Sequence, residues 1–351
     1  MLHIPKLYTM ESVTAGHPDK VCDQISDAIL DACLAEDPAA RVAVEVCGSH
    51  GKLFIGGEVA TAARVPYEEI ARRVYRNIGY LEELSIMTHV AQQSPDIAQG
   101  VDTGGAGDQG IMYGYATDET PEYLPAGLVL AHALTRGLEK LRKENTLPWL
   151  RPDGKAQVTI EDGCVKTVLV STQHAEDISH EDIWRALTEK LIEPTIGNLR
   201  NVEILVNPTG KFVQGGFAAD AGLTGRKLMV DTYGGLIPHG GGAFSGKDPT
   251  KVDRSAAYMA RFAAKNVVAG GYAHRCLVSV AYAIGHPEPL MVEAITETGE
   301  SVAGLVKRNF DFRPARIILG LALRRPIYED TARYGHFGKP NLPWEEIRGI
   351  S

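Results

Sequence analysis

The glycine-rich segment 240–249 carries the residue types that a polyphosphate site needs. Three glycines begin it, and Lys247 follows Gly246 near its end. Glycines let backbone N–H groups approach phosphate oxygens closely, and a lysine supplies a compact positive charge. The spacing from Gly241 to Lys247 nearly meets the P-loop pattern, but Asp248 stands where a P-loop needs a Ser or Thr hydroxyl. A polyphosphate loop is predicted, with a P-loop kinase or ATPase and a plain surface turn as alternatives.

Further basic residues favour the polyphosphate interpretation. They flank the glycine segment or follow short polar turns: Lys155, Arg226, Lys227 and Lys251. The chain has a net charge of −8, so a polyanion needs a local cluster of Lys and Arg. A single lysine is more often a solvated surface residue, and the prediction therefore depends on the cluster.

Four aspartates recur every fourth residue in the first helical segment, and they share one helical face: Asp19, Asp23, Asp27 and Asp31. Asp19 follows His17 at the helix start and is the best candidate for a magnesium ligand. For Asp27 and Asp31 we expect an exposed acidic stripe. Asp253, two residues past Lys251, and Glu45 are further candidate ligands. Glu45 is inside a predicted strand, where a carboxylate needs a partner if it is buried.

A second glycine-rich loop covers residues 104–110 and follows the segment 94–100. Its spacing suits a lid hinged by glycine, from which Gln99, Asp108 and Gln109 can reach a ligand. Glycine loops alone are weak signals, so a plain turn remains an equal alternative.

The elements that must position these residues recur in one order. Helix, strand, strand, helix is predicted three times, and the predicted bounds are 18–35, 41–47, 53–61 and 67–75, then 125–143, 157–161, 165–171 and 181–193, then 254–269, 276–283, 290–295 and 302–310. Turn signals at Gly48–Gly51 and at Asp162-Gly163 join the first two strand pairs. A capping box at Thr250 and Asp253 and a stop at Gly270-Gly271 bound the third long helix.

This order predicts an α+β fold of three similar units, with chance recurrence as the alternative. Each unit exposes one sheet face that must be covered, which favours an oligomer. Residues 227–232 are predicted as a strand that leads into the glycine segment.

Composition bounds the function classes. A chain of 351 residues suits two or three small cores, and 44% apolar with 23% charged residues is typical of a globular protein. There is no apolar run of the length that a membrane span needs and no export signal at the N-terminus, so the cytoplasm is expected. The acidic balance disfavours nucleic acid as a partner. Five scattered cysteines are expected to be reduced thiols.

Several long motifs together resemble the S-adenosylmethionine synthetase (methionine adenosyltransferase) family. They appear in the family's order over nearly the whole chain and comprise Glu11-Ser12-Val13, Gly16-His17-Pro18-Asp19-Lys20, residues 105–110, 147–153, 222–227 and 230–235, the segment 240–248, and Lys251-Val252-Asp253-Arg254-Ser255-Ala256-Ala257-Tyr258.

The resemblance implies a fold and a reaction. The fold is three α+β units about a pseudo-threefold axis, with units at 1–103, 104–214 and 215–351. The reaction joins L-methionine to ATP by attack of the sulfur on the ribose 5′ carbon, and then hydrolyses the triphosphate to phosphate and diphosphate. A cytoplasmic homodimer with shared active sites, often doubled to a tetramer, is implied, with two Mg²⁺ and one K⁺ per site.

The resemblance also implies roles for individual residues. His17 contacts the triphosphate next to the ribose; Lys155, Arg226, Lys227 and Lys247 hold the phosphates; Asp153, Lys211, Phe212 and Ala243 lie against ATP, with Phe212 stacked on adenine. Asp19 and Asp253 bind magnesium and Glu45 binds potassium. Glu58 and Gln99 bind methionine, Asp220 and Lys251 lie near both substrates, and Asp108 approaches the ribose and sulfur. The residues implied in catalysis are His17, Lys155, Arg226, Lys247, Lys251 and Asp108.

The chain departs from the family pattern in three places. The segment between Gln99 and Gly105 is short, which puts the closure of a lid in doubt, and the stretch 81–90 is abbreviated. Lys211 replaces the usual Arg, which keeps the charge but loses a planar two-pronged contact. A non-catalytic nucleotide-binding subunit therefore remains an alternative.

Overall fold

A computed structural model describes residues 4–92 and 105–351, so Gln99 lies outside the described residues. The chain is a mixed α+β protein with three sheets. The strands are β1 Leu7–Val13, β2 Arg41–Ser49, β3 Lys52–Ala60, β4 Ser85–Ala91, β5 Gly110–Thr117, β6 Leu150–Glu161, β7 Cys164–His174, β8 Glu203–Val206, β9 Gly222–Leu223, β10 Arg275–Tyr282 and β11 Met291–Thr296.

The helices lie between these strands. They are α1 Pro18–Glu36, α2 Tyr67–Ile78, α3 Ala126–Lys143, α4 His180–Leu187, α5 Glu193–Ile196, α6 Leu228–Asp231, α7 Val252–Ala269, α8 Ala303–Asn309 and α9 Pro314–Gly320. Short 3₁₀ turns cover Gly216–Ala218, Glu329–Ala332 and Pro343–Glu345. The predicted order helix, strand, strand, helix is present three times.

The three sheets exchange strands in a cycle. Their strand orders are β9-β2-β3-β4, β1-β6-β7-β8 and β5-β10-β11. In each sheet the first strand of that order comes from a different unit than the hairpin beside it. These pairs are β9 with β2, β1 with β6, and β5 with β10. The last strand of the two larger sheets pairs in parallel with its neighbour. Three units therefore interlock, so none completes its sheet alone.

The hairpin predictions are confirmed by backbone geometry. His50 and Gly51 have φ angles of 45° and 75°, and Asp162 and Gly163 have φ angles of 48° and 79°. Positive φ at both central residues is the conformation whose twist matches two antiparallel strands.

Long helices cover one face of each sheet. The helix α1 packs on β2, α3 on β1 and β6, and α7 on β5 and β10. Gly114 in β5 lets α7 approach closely, because a Cβ there would lie 2.0 Å from the carbonyl carbon of Ala260. In the described part of the chain, no helix is long and apolar enough to cross a membrane.

Three local predictions were wrong. Residues 228–231 form the helix α6 instead of a strand, and this turn brings Asp231 into the interior beside Lys20. Thr250 does not cap α7, because the N-cap residue is Lys251, which makes no side-chain cap hydrogen bond. The N–H of Thr250 donates to Asp248 instead.

The third correction concerns the helix predicted over 181–193. It is interrupted by a π-helical turn at Thr188–Ile192 before α5. Pro194 explains the interruption, because its ring and its missing N–H disfavour a regular α-helix through the preceding turn.

Candidate functional site

The first group of predicted site residues gathers at the start of α1, and we call it the phosphate group: His17, Asp19, Asp153, Lys155, Arg226 and Lys227. His17 is the N-cap of α1, and its Nδ1 accepts a hydrogen bond from the Asp19 N–H at 3.2 Å. Burial, followed by the charges of Lys227 and Lys155, lowers the pKa of His17 to about 3. The imidazole is therefore neutral at pH 7. Since Nδ1 accepts, the proton is on Nε2, which is left as a donor.

Asp19 is the centre of the phosphate group. It accepts hydrogen bonds from Lys227 Nζ at 2.5 Å and from the Leu223 N–H at 3.0 Å, and Arg226 Nε lies 3.9 Å away. Burial alone would raise the pKa of Asp19, but these hydrogen bonds and the charge of Lys227 lower it. The carboxylate is thus ionised and holds two cations on the segment between β9 and α6.

The remaining nucleotide residues lie around β6. Asp153 accepts the Gly216 N–H at 2.9 Å, and burial raises its pKa to about 6. Lys155 is exposed, and its charge acts on both Asp153 and His17. The predicted adenine residue Phe212 is held by His174, which accepts its N–H at 3.0 Å. Lys211 and Asp220 are exposed on the same stretch of loop.

A second group of predicted residues lines a cavity of about 490 Å³, and we call it the cavity group: Glu45, Glu58, Ala243 and Lys247. The cavity lies on the outer face of the sheet that contains β2, β3 and β4. Glu45 and His89 flank Gly56 across three strands, and the ring of Phe54 lies over this glycine, where a Cβ would be 2.5 Å from Phe54 Cε1. In the next row outward, Phe54 and Met87 are 42% and 67% exposed. His89, Phe54 and Cys47 line the cavity and were missed, because no motif distinguished them in the sequence.

Two more predicted residues, Asp253 and Lys251, pair with charged residues of the glycine-rich segment. Lys247 Nζ donates to Asp253 at 2.7 Å, and Lys251 pairs with the buried carboxylate of Asp248. Gly242 is required here, because a Cβ would lie 2.0 Å from Asp253 Oδ1. The predicted loop is thus held by its own acidic residues.

The predicted catalytic residue Asp108 lies two residues before β5, which begins at Gly110 beside Asp253. Asp108 is exposed, and its Oδ1 accepts the Gln109 N–H at 2.8 Å. Within residues 4–92 and 105–351, no hydrogen bond or ion pair reported for a phosphate-group side chain reaches the cavity group. The two groups are connected through β9, since Leu223 lines the cavity and its N–H binds Asp19.

The predicted metal ligands are single carboxylates. Among the described residues no cluster of three or more His, Cys, Asp or Glu could hold a metal ion by itself. Asp19 and Asp253 are each paired with a lysine, whereas Glu45 is exposed. Magnesium is commonly held by one or two carboxylates together with substrate phosphates and water, so these residues fit a metal that arrives with a nucleotide.

The expectation of an exposed acidic stripe was wrong. Asp27 is fully buried and forms a two-pronged pair with Arg254, with N···O distances of 2.7 and 2.8 Å. Asp31 is half-buried and accepts the N–H groups of Tyr328 and Glu329. The four-residue repeat of carboxylates was itself the available signal, because repulsion along one face implies compensating partners.

The P-loop alternative was also wrong. The element nearest before the glycine segment is the helix α6 followed by coil, not a strand, and α7 starts at Val252, five residues after Lys247. A P-loop requires a strand directly before the loop and a helix directly after its lysine.

Comparisons with known proteins agree with this geometry. The family models described as S-adenosylmethionine synthetase N-terminal, central and C-terminal domains match residues 5–95, 103–212 and 214–346. The S-adenosylmethionine synthase of Pseudothermotoga lettingae is 51% identical, with 98% of this chain and 97% of that protein aligned. S-adenosylmethionine synthase 1 of Rhodospirillum rubrum is 53% identical, with 96% and 95% aligned.

Proposed function

The chain belongs to the S-adenosylmethionine synthetase family and acts as a methionine adenosyltransferase, and we propose that the phosphate and cavity groups carry out this reaction. ATP and L-methionine combine to give S-adenosylmethionine, and the triphosphate is then hydrolysed to phosphate and diphosphate. The observation that supports this placement best is the neutral His17 beside Asp19, Lys227 and Lys155.

The chemistry needs alignment and charge stabilisation more than a base. A thioether sulfur has no proton to lose, so the first step requires an in-line approach to the ribose 5′ carbon. Negative charge grows on the leaving triphosphate oxygen as the bond breaks. A neutral His17 can donate from Nε2 to that oxygen, while Lys155, Arg226 and Lys227 stabilise the phosphates.

Two magnesium ions and one potassium ion per site complete the proposal. When bound, magnesium neutralises phosphate oxygens and favours departure of the triphosphate. Asp19 and Asp253 are the proposed magnesium ligands, and Glu45 is the proposed potassium ligand. When Asp19 and Asp253 bind magnesium, their lysine partners Lys227 and Lys247 become available to the phosphates.

Methionine is proposed to lie in the cavity. Glu58 can bind its ammonium group, and Asp220 and Lys251 are assigned to both substrates. Gln99 is proposed to bind methionine together with Glu58. Asp108 is proposed to approach the ribose and to favour the developing positive sulfonium.

The absence of side-chain contacts between the two groups in the described residues supports a homodimer with shared active sites, doubled to a tetramer. The outer face beside the cavity exposes Phe54 and Met87, which an interface would cover. In this arrangement the phosphate group of one protomer faces the cavity group of its partner. The same proposal includes a pseudo-threefold relation of the units, with boundaries at 103/104 and 214/215. It also includes a cytoplasmic location and the absence of nucleic-acid and membrane partners.

Product identity tests the reaction. Purified protein with ATP, methionine, Mg²⁺ and K⁺ is expected to give S-adenosylmethionine with equal phosphate and diphosphate, measured by mass spectrometry. ADP as the main product would contradict the proposal. ATP binding without turnover would identify a non-catalytic nucleotide-binding subunit.

Complementation tests the shared site. His17→Ala and Lys247→Ala each disable one group, and both variants are expected to be inactive alone. After co-expression, a mixed dimer regains one intact site, and recovery of about one quarter of the wild-type activity is expected from random pairing of protomers. No recovery, or a monomer by light scattering, would contradict a site shared between protomers.

A further inference from the structure

The aspartates of α1 hold backbone amides from distant parts of the chain, and we call Asp19, Asp23, Asp27 and Asp31 the aspartate stripe. Each accepts an N–H from a segment about 200 or more residues further along. The amides are those of Leu223 at 3.0 Å, Gly225 at 2.8 Å, Gly246 at 2.9 Å, and Tyr328 and Glu329 at 2.9 and 2.8 Å. One helical face thus fixes several loops.

Asp23 holds the amide next to a predicted phosphate contact. Gly225 directly precedes Arg226 and Lys227, and its φ of +81° places it in the left-handed region. The chain turns sharply there, and Asp23 is the side chain that holds the amide at the turn. The direction in which Arg226 leaves the backbone depends on this turn.

The second carboxylate oxygen of Asp23 faces a buried cluster of charges. Lys20 is fully buried and is already paired with the buried carboxylate of Asp231. Asp23 Oδ2 lies 2.9 Å from the same ammonium, so Lys20 pairs with both buried carboxylates. The charge of Lys339 also acts on Asp231, so the two carboxylates face two lysines in the interior. Burial raises the pKa of Asp23 to about 7.

Asp27 and Asp31 differ from Asp23 in this respect. Asp27 neutralises Arg254, so its removal would leave a buried guanidinium without a partner. Asp31 holds the amides of Tyr328 and Glu329, and neither of these residues belongs to the proposed site. Asp23 is the member whose hydrogen bond holds the segment that carries Arg226 and Lys227.

We propose that Asp23 is a positioning residue of the triphosphate site, holding the Gly225 amide so that Arg226 and Lys227 point at the phosphates. This inference rests on the proposed function of the phosphate group. Asp23 does not touch the substrate and acts through the backbone of residues 225–227.

The test compares Asp23→Ala and Asp23→Asn with wild type. Asp23→Ala leaves Lys20 paired one-to-one with Asp231, so the variant is expected to fold. Its KM for ATP is expected to rise about tenfold, because misdirected cations lose phosphate contacts, while its KM for methionine stays within about twofold. Asp23→Asn keeps an oxygen acceptor for the Gly225 N–H and is expected to restore most of the affinity for ATP.

Asp31→Ala is the matched control. It removes a carboxylate from the same helix face, with hydrogen bonds to two amides outside the site. It is expected to lower the free energy of unfolding and to leave both KM values within about twofold of wild type. An equal rise in the KM for ATP in Asp31→Ala and Asp23→Ala would overturn the proposal, as would unchanged kinetics in Asp23→Ala.

Binding of inorganic tripolyphosphate separates this inference from the reaction itself. Calorimetric titration needs no turnover, so it applies even if no S-adenosylmethionine forms. Asp23→Ala is expected to bind tripolyphosphate with magnesium about tenfold more weakly than wild type, or about 1.4 kcal/mol. Equal affinity in the two proteins, or no binding by wild type, would contradict a positioning role at a triphosphate site.

Discussion

Two regions of the molecule bury charged side chains, and they do so in different ways. The aspartate stripe places single carboxylates along α1, each against a loop amide. The other region, which we call the C-terminal network, consists of Arg261, Lys265 and Glu345. Both lie in the interior, but their partners differ.

The C-terminal network is fully hydrogen-bonded. Glu345 accepts from Arg261 at 2.9 Å through both carboxylate oxygens and from Lys265 at 2.8 Å, and Arg261 also donates to the carbonyl groups of Tyr115 and Tyr123. Burial alone would raise the pKa of Glu345, but the two cations lower it. The network joins α7 to the chain end, and no predicted site residue contacts it in the described ranges.

The buried carboxylates of the aspartate stripe are less completely satisfied by hydrogen bonds. Asp23 Oδ2 shares the Lys20 ammonium with Asp231, and the loops that the stripe holds carry Arg226, Lys227 and Lys247. Incomplete satisfaction of buried groups is most often found where function requires it. Buried charge thus stabilises the chain end in one region and orients ligand-binding segments in the other.

The largest effect is expected from Glu345→Ala. This change leaves Arg261 and Lys265 buried without a carboxylate, so the free energy of unfolding should fall by about 3–5 kcal/mol. Urea unfolding measures the loss. Kinetic constants of the folded fraction should remain those of wild type, and a changed KM for ATP would break the distinction between the two regions.

A smaller effect, on catalysis instead of stability, is expected from Lys247→Ala. Its side chain is partly exposed, so the fold should persist, but the loss of a phosphate contact should lower kcat/KM at least about 100-fold, or about 2.7 kcal/mol. The exposed Lys166, which pairs with Glu161 on the hairpin, provides a control. Lys166→Ala should leave turnover unchanged, whereas undiminished turnover in Lys247→Ala would remove that residue from the site.

The smallest effect is a difference in pH dependence. His17 has a lowered folded-state pKa, so an unfolded chain binds a proton below about pH 6.5 that the folded chain rejects. The stability that neutral His17 contributes is present above that pH and is lost as pH falls. The stability difference between wild type and His17→Gln should therefore decrease by about 1.4 kcal/mol per pH unit between pH ~6 and ~4.

The range between pH ~5 and ~6 distinguishes His17 from the C-terminal network. The carboxylate of Glu345 has a lowered pKa, so it stays ionised in the folded protein until the pH falls below the usual range for glutamate. The stability difference between wild type and Glu345→Ala should therefore stay nearly constant between pH ~7 and ~5. Denaturant unfolding at several pH values checks both trends, and parallel trends in the two variants would contradict the assignment.

Much of the local structure was predictable from the sequence. The helices α1, α3 and α7 and the turns at His50-Gly51 and Asp162-Gly163 follow from apolar periodicity and turn residues. The failures were residues whose local pattern was overruled by distant contacts. Residues 228–231 look strand-like, yet they form a helical turn that brings Asp231 to Lys20.

The composition of the candidate site was more predictable than its arrangement. His17, Asp19 and Lys227 were selected by type and motif, and they lie together. Repulsion along the face indicated that Asp27 needs a partner, but the partner itself, Arg254, could not be identified because it is 227 residues away. Helical spacing shows which residues share a face, but not what covers that face.

The sequence by itself determined the residue types, their order, and through several long motifs the family to which the chain belongs. Only the tertiary structure decided the cyclic exchange of strands and the amides that the aspartate stripe holds. The physical reason is distance along the chain: Asp23 meets Gly225 and β1 meets β6 only after folding brings them together. Local propensities describe neighbours in sequence, whereas these hydrogen bonds join segments about 140–200 residues apart, and they decide where each side chain points.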